Sequence, residues 1–137
     1  MADLSASFVR SLCNGVVEQD LLFPFPTLDD DARETLQMTV DAIDALLKER
    51  GEDFRKWDAA GEMPAAFIDE LRAFGLFGLI IPEEHGGMAM GNMAYSRTLQ
   101  QIATHDASVA VTVGAHSSIG MRGLKLFGSA AQKTRFY

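Results

Sequence analysis

From Ala107 to Ala115 the chain carries no charged side chain, and this run constrains the fold more than any other stretch. Nothing in it marks a solvent-facing stripe, so the segment is predicted to be buried on all sides. Val109, Val111, Thr112 and Val113 favour a strand. An apolar run this short is equally compatible with a buried helix, because periodicity does not separate the two at this length. In a helix, Ala110 and Gly114 would lie four residues apart on one face, small enough for a backbone or a ligand chain to approach closely. That face then reads as a groove floor, with tight helix–helix packing by small residues as the plainer alternative.

A chain of 137 residues suits one domain with a sizeable core, and a hydrophobic fraction of 47% with 23% charged residues is that of an ordered globular protein. The formal charge of -7 opposes a surface that tracks phosphates, so nucleic acid is not an expected partner. Cys13 stands alone and forms no intramolecular disulfide, which suits a reducing compartment. No apolar run approaches a membrane span, and the first residues suit neither a secretory signal nor an Arg-rich transit peptide. The expected location is the cytoplasm.

Taken in order, Ser5 to Asn14 has the spacing of a short amphipathic helix through Phe8, Val9 and Leu12, with Gly15 placed to end it. Leu21 to Pro26 reads as an extended arm held by two prolines and carrying two phenylalanines. Thr27 is the expected N-cap of a long helix with Leu36, Val40, Ile43 and Leu47 at helical spacing, closed by Lys48, Arg50 and Gly51. Glu52 to Gly61 is a short helix or turn pinned by Phe54 and Trp57. Pro64 suits the first turn of a helix striped by Phe67, Ile68, Leu71 and Phe74, which Gly75 terminates. An apolar turn and a Gly-rich loop come next, and Asn92 is the expected cap of a helix carrying Met93, Tyr95, Leu99 and Ile102. Past the uncharged run, Ser118 to Phe127 presents a helical stripe through Ile119, Leu124 and Phe127, ended by Gly128. Ser129-Ala130-Ala131-Gln132 has the form of a capping box. Barely two turns remain after it, and so short a helix is marginal alone, so a continuing polypeptide is expected.

Few residues suggest chemistry unaided. His85, His105 and His116 match no metal-ligand spacing, so no metal site is expected. His116-Ser117-Ser118 lacks the strained elbow of a serine nucleophile. Gly75-Leu76-Phe77-Gly78 has the bare form of an RNA-clamping loop without its basic residues. No glycine pattern for a nucleotide phosphate is present, and Glu83 and Glu84 read as solvated loop acids.

One longer pattern is specific. Gly75-Leu76-Phe77-Gly78-Leu79-Ile80-Ile81-Pro82-Glu83-Glu84-His85-Gly86-Gly87 resembles a stretch of the N-terminal domain of acyl-CoA dehydrogenases. Tyr95 to Ile102 resembles the next helix of that family, and Val111 to Gly120 with Leu124 to Lys133 resembles the two after it. Lys133 to Tyr137 is similar to the lead-in to a Leu-Pro pair that lies beyond this chain. Ser7-Phe8, Leu21 to Pro26 and Gly114 to Gly120 resemble the very-long-chain subgroup, so the resemblance covers the chain from about Phe8 onward.

The resemblance implies an all-α N-terminal domain over residues 27–137, preceded by an extension over 1–26, with the uncharged run helical. It implies an FAD-dependent enzyme of fatty-acid β-oxidation that converts long-chain acyl-CoA to trans-2-enoyl-CoA and passes electrons to an electron-transferring flavoprotein, as a homo-oligomer. The family's catalytic glutamate and most FAD contacts lie in later domains, so no catalytic residue is assigned here, and Glu83 and Glu84 match a surface loop. The implied contribution is one wall of the acyl pocket, at Ala110, Val113, Gly114 and Ser117. A helical interaction or acyl-binding module without redox chemistry is the competing reading, and a structural subunit completed by a separate chain is a third.

Overall fold

A computed structural model describes residues 7–25 and 27–137. Among the described residues eight α-helices run in chain order with short 3-10 turns between some of them, and there is no strand. Helix α1 (Phe8–Cys13) is capped by Ser7, whose hydroxyl accepts from Arg10 N, and Gly15 reverses the chain at φ 78°. The predicted start at Ser5 lies outside the described residues, as does Pro26 at the end of the arm. A 3-10 turn over Gln19–Leu21 takes in the first residue of the arm, so Leu21 is not extended, and the Phe23 and Phe25 rings meet edge to face at 4.7 Å.

Helix α2 (Asp30–Leu47) begins two residues later than Thr27 implied. Asp29 is the cap: its backbone is extended and its Oδ1 accepts from Ala32 N at 2.8 Å. A carboxylate there also meets the positive end of the helix dipole, an advantage the Thr27 hydroxyl lacks. Lys48 closes α2, whereas Gly51 opens the next helix, α3 (Gly51–Ala60), and Gly61 ends that one at φ 68°. Helix α4 (Ala65–Ala73) has Pro64 at its cap position, one residue before the predicted place; the Pro64 carbonyl accepts from Phe67 N and Ile68 N. Gly75 then turns the chain at φ 90°.

Residues 76–91 form two 3-10 turns laced together by backbone bonds, Met88 N to Gly78 O, Ala89 N to Ile81 O and Met90 N to Leu79 O. Gly87 has no alternative in this lacing, because a Cβ there would overlap the Ile81 carbonyl. Helix α5 (Asn92–His105) starts from an extended Gly91 and has no side-chain cap, so Asn92 is its first residue and not its cap.

The uncharged run is helix α6 (Ala107–Ala115), capped by Asp106, whose Oδ1 accepts from Val109 N at 2.9 Å. That cap is a local helix signal that outweighs the strand preference of its valines. The run is not buried on all sides: Val109 and Val113 are fully buried, but Val111 is 67% exposed. After α6 the helix loosens into a π-helical turn over His116–Met121 and tightens again as α7 (Arg122–Phe127). The wider turn shifts the angular register of the residues after it. The predicted stripe is split: Leu124 is half-buried, while Ile119 in the π-helical turn and Phe127 at the last position of α7 are 81% and 87% exposed. Helix α8 (Ala130–Phe136) carries the complete capping box, in which Ser129 Oγ accepts from Gln132 N and Gln132 Oε1 accepts from Ser129 N.

Helices α2, α5 and α6 pack in sequence, α5 lying between the other two. The core joins Ile43 and Leu47 of α2, Phe54 of α3, Phe67 and Leu71 of α4, Ile102 of α5, and Val109 and Val113 of α6. Phe54, Trp57 and Phe67 stack at one end with centroids 4.8 to 5.9 Å apart. Lys125 of α7 reaches back to the Ile80 carbonyl at 3.0 Å and ties the last helices to the glycine-rich loop.

Candidate functional site

The packing of α5 on α6 leaves one face of each helix uncovered, and an apolar groove of about 510 Å³ runs along the seam. Ala110, Gly114 and Ala115 form its floor, Leu99 and Ala103 its α5 side, and the exposed Val111 and Ile119 its rim. Small residues at a four-residue spacing keep the floor low: the absent Cβ of Gly114 would sit 3.4 Å from Leu99 Cδ1. No charged residue lines this space and its polar members are Ser96, Gln100 and Ser118, so it suits a mainly apolar chain and offers no charged acid or base to one.

Beside the groove lies a smaller cavity of about 200 Å³ bounded by Ile80, Asn92, Tyr95, Ser117, Ser118 and Arg122. Ser118 borders both spaces. The Gly114 carbonyl accepts two side-chain hydrogen bonds, from Tyr95 Oη at 3.2 Å and from Ser118 Oγ at 2.7 Å. Ser117 is fully buried, and its hydroxyl has no hydrogen-bond partner among the described residues. Buried hydroxyls are ordinarily satisfied, so Ser117 is the exception in this site.

The four residues implied as an acyl-pocket wall therefore part company. Ala110 and Gly114 lie on the groove floor, Val113 is fully buried in the core, and Ser117 borders the smaller cavity. Leu99, Ala103, Ala115 and Ile119 line the groove as well, outside the implied set. A helical projection of 107–119 places Ala115 and Ile119 beside Val111, but pairing that face with Leu99 and Ala103 requires knowing which helix α6 packs against.

The remaining polar groups are spoken for or scattered. His105 Nε2 lies 3.0 Å from Asp44 Oδ1, which also accepts from Gln101 Nε2 at 3.2 Å, joining α5 to α2. His116 packs edge to face on Phe77 at 4.9 Å and His85 on Tyr137 at the same distance. Glu83 and Glu84 are exposed on their loop. Among the described residues no three His, Cys, Asp or Glu side chains gather as metal ligands, and no helix is long and apolar enough to cross a membrane.

The family model described as acyl-CoA dehydrogenase, N-terminal domain, matches residues 33–137. A mitochondrial very long-chain specific acyl-CoA dehydrogenase of Homo sapiens is 34% identical over 133 residues, which cover 96% of this chain and 20% of that protein. The protein of the same name from Macaca fascicularis gives the same identity and coverage. A probable acyl-CoA dehydrogenase of Mycobacterium tuberculosis is 36% identical over 138 residues, 95% of this chain and 20% of that protein. The chain thus spans about a fifth of the length of the curated relatives it matches.

Proposed function

The chain belongs to the acyl-CoA dehydrogenase family, as its N-terminal helical domain, and from that premise we propose that it forms one wall of the acyl-chain pocket in an FAD-dependent oxidoreductase. In this reading the full-length enzyme oxidises long-chain acyl-CoA to trans-2-enoyl-CoA in fatty-acid β-oxidation. One observation carries it: the groove between α5 and α6 is apolar, open to one side, and floored by Ala110 and Gly114. A saturated chain is held there by burial alone, at about 0.8 kcal/mol per methylene removed from water. Val113 supports the floor from the core side, and Ser117 stands beside it.

The chain's own residues do not fit FAD by themselves. Its one glycine-pair turn, Gly86-Gly87, is closed by its own backbone, with the Ile81 carbonyl where a Cβ of Gly87 would lie, so it cradles no phosphate. FAD, the glutamate that removes the α-proton and the acceptor site for an electron-transferring flavoprotein are assigned in this reading to the rest of the polypeptide. No chemical step is routed through residues 1–137. A homo-oligomeric enzyme in the cytoplasm completes the reading; the unpaired, exposed Cys13 is consistent with a reducing compartment. Residues 1–26 then form an extension, and residues 27–137 the domain itself.

The test is Ala110→Gln in the full-length enzyme. A glutamine there fills part of the groove and puts an amide against the acyl chain, so kcat/KM should fall most for the longest saturated acyl-CoAs and the preferred length should shorten. Each methylene of lost contact corresponds to about a fourfold loss. An unchanged chain-length profile would remove the groove from the acyl pocket.

A further inference from the structure

Two uncovered apolar surfaces on this chain carry opposite charge. The first is the N-terminal segment over residues 7–25, along which Val9, Val16, Val17, Phe23 and Phe25 all face solvent. Neither α1 nor the 3-10 turn packs extensively on another helix. The hydrogen bonds of the segment, such as Ser11 Oγ to Glu18 Oε1 at 3.2 Å and Asn14 Nδ2 to the Arg10 carbonyl at 2.9 Å, stay within it. Its acids, Glu18 and Asp20, are exposed, and Arg10 is its one base.

The second surface belongs to α7 and α8. From Ala107 to Tyr137 the chain has no Asp or Glu, although its overall charge is -7, and Arg122, Lys125, Lys133 and Arg135 all fall in these two helices. Among the described residues none of the four pairs with a carboxylate. Lys125 is tied to the Ile80 carbonyl, whereas Arg122 and Arg135 are exposed. Beside them Leu126, Phe127 and Phe136 are exposed as well.

We propose that these surfaces meet between copies: the N-terminal segment of one protomer lies across α7 and α8 of a second, which returns the same contact. The inference rests on the homo-oligomeric part of the proposed function and is independent of the acyl groove.

Each surface supplies what the other lacks. Apolar side chains leave water on both sides, and Glu18 and Asp20 set against Arg122 and Arg135 fix the register, the use to which charge is put at an interface. Among the described residues no hydrogen bond or ion pair joins residues 7–25 to α7 or α8 of the same chain. A two-fold axis closes the exchange, because the same pair of patches occurs twice and both are covered on each copy. An anionic bilayer, the other taker for a basic apolar face, would leave the acidic segment uncovered. The segment is also separable from the domain: the family model omits it, matching 33–137, whereas the alignment with the Homo sapiens relative covers 96% of the chain and takes it in. A segment shared with such a relative, yet outside the domain's own core, is available for a contact beyond it.

The experiment uses the full-length protein with Phe25 replaced by a photo-cross-linking phenylalanine derivative, prepared as a mixture of unlabelled and heavy-isotope-labelled copies. Irradiation should give a species of twice the chain mass in which position 25 of one copy is linked to residues 122–136 of the other, in mixed isotope pairs. Glu18→Lys with Asp20→Lys should lower that yield by about two- to fivefold for each ion pair lost. Arg122→Glu with Arg135→Glu should lower it similarly, and the four changes together should restore it. Links confined to one copy, whether to its own α7 and α8 or to polypeptide beyond Tyr137, would overturn the proposal, as would a fourfold variant that recovers nothing. Binding to phosphatidylglycerol vesicles that replaces the link between copies would overturn it in favour of a bilayer. A full-length protein that is monomeric in solution would sink the homo-oligomeric reading and this contact together, whereas an oligomer without the link sinks the contact alone.

Discussion

Gly114 of α6 faces Leu99 of α5 so closely that the Cβ it lacks would lie 3.4 Å from Leu99 Cδ1. The floor of the groove is therefore set by a glycine and by a leucine that is only half-buried, with open space on one side.

That asymmetry decides the sign of a substitution. Gly114→Ala adds a methyl that would meet Leu99 Cδ1 at 3.4 Å, an ordinary van der Waals contact. It also removes the entropic cost of a glycine inside a helix, about 0.5 to 1 kcal/mol. Chemical denaturation should show the variant stabilised by roughly that amount, while activity toward the longest acyl-CoAs falls. A destabilised variant would mean that Leu99 is held more rigidly than its exposure implies.

The tie between α2 and α5 is the next point of leverage. Asp44 Oδ1 serves both His105 Nε2 and Gln101 Nε2, but the carboxylate is about half exposed, which limits its worth to about 1 kcal/mol. Asp44→Ala should lose that stability, and Asp44→Asn, which keeps an acceptor oxygen, should lose less than half of it. Equal losses from the two substitutions would show that charge, not hydrogen bonding, holds the helices together.

Adjacent glycines in the 75–91 loop should behave differently. Gly87→Ala forces a Cβ into the Ile81 carbonyl, a backbone atom that cannot step aside, and should cost at least about 2 kcal/mol. Gly86 has φ 81° and nothing within 4 Å of its missing Cβ, so Gly86→Ala bears only the cost of the left-handed backbone, roughly 1 kcal/mol. Unfolding midpoints of the two variants, measured side by side, check the order.

How far the sequence foretold the molecule depended on whether the cause was local. Helix α2 was readable because Leu36, Val40, Ile43 and Leu47 recur at helical spacing, and the glycine stops at Gly15 and Gly75 were readable because each position takes a positive φ that glycine alone adopts freely. The Ser129 to Gln132 capping box depends on four neighbouring residues and formed as written. Caps that had several candidates within a turn, Thr27 against Asp29 and Gly91 against Asn92, went to the neighbour. The motif from Gly75 to Gly87 carried the family, because its glycines answer to backbone geometry within the same loop.

No local pattern held the other side of each contact. The uncharged run admitted strand or helix on propensity, and only packing against α5 determines which of its faces is buried; Val113 went to the core while Ala110 and Gly114, three and one residues away, stayed on the groove. The bond from Tyr95 to the Gly114 carbonyl likewise joins residues nineteen apart, which no local pattern pairs. Helix formation is governed by neighbours within a turn or two, so the chain's order of residues determined the all-α architecture and its family. A groove is the space left between two helices, and it exists only once tertiary packing has brought their faces together.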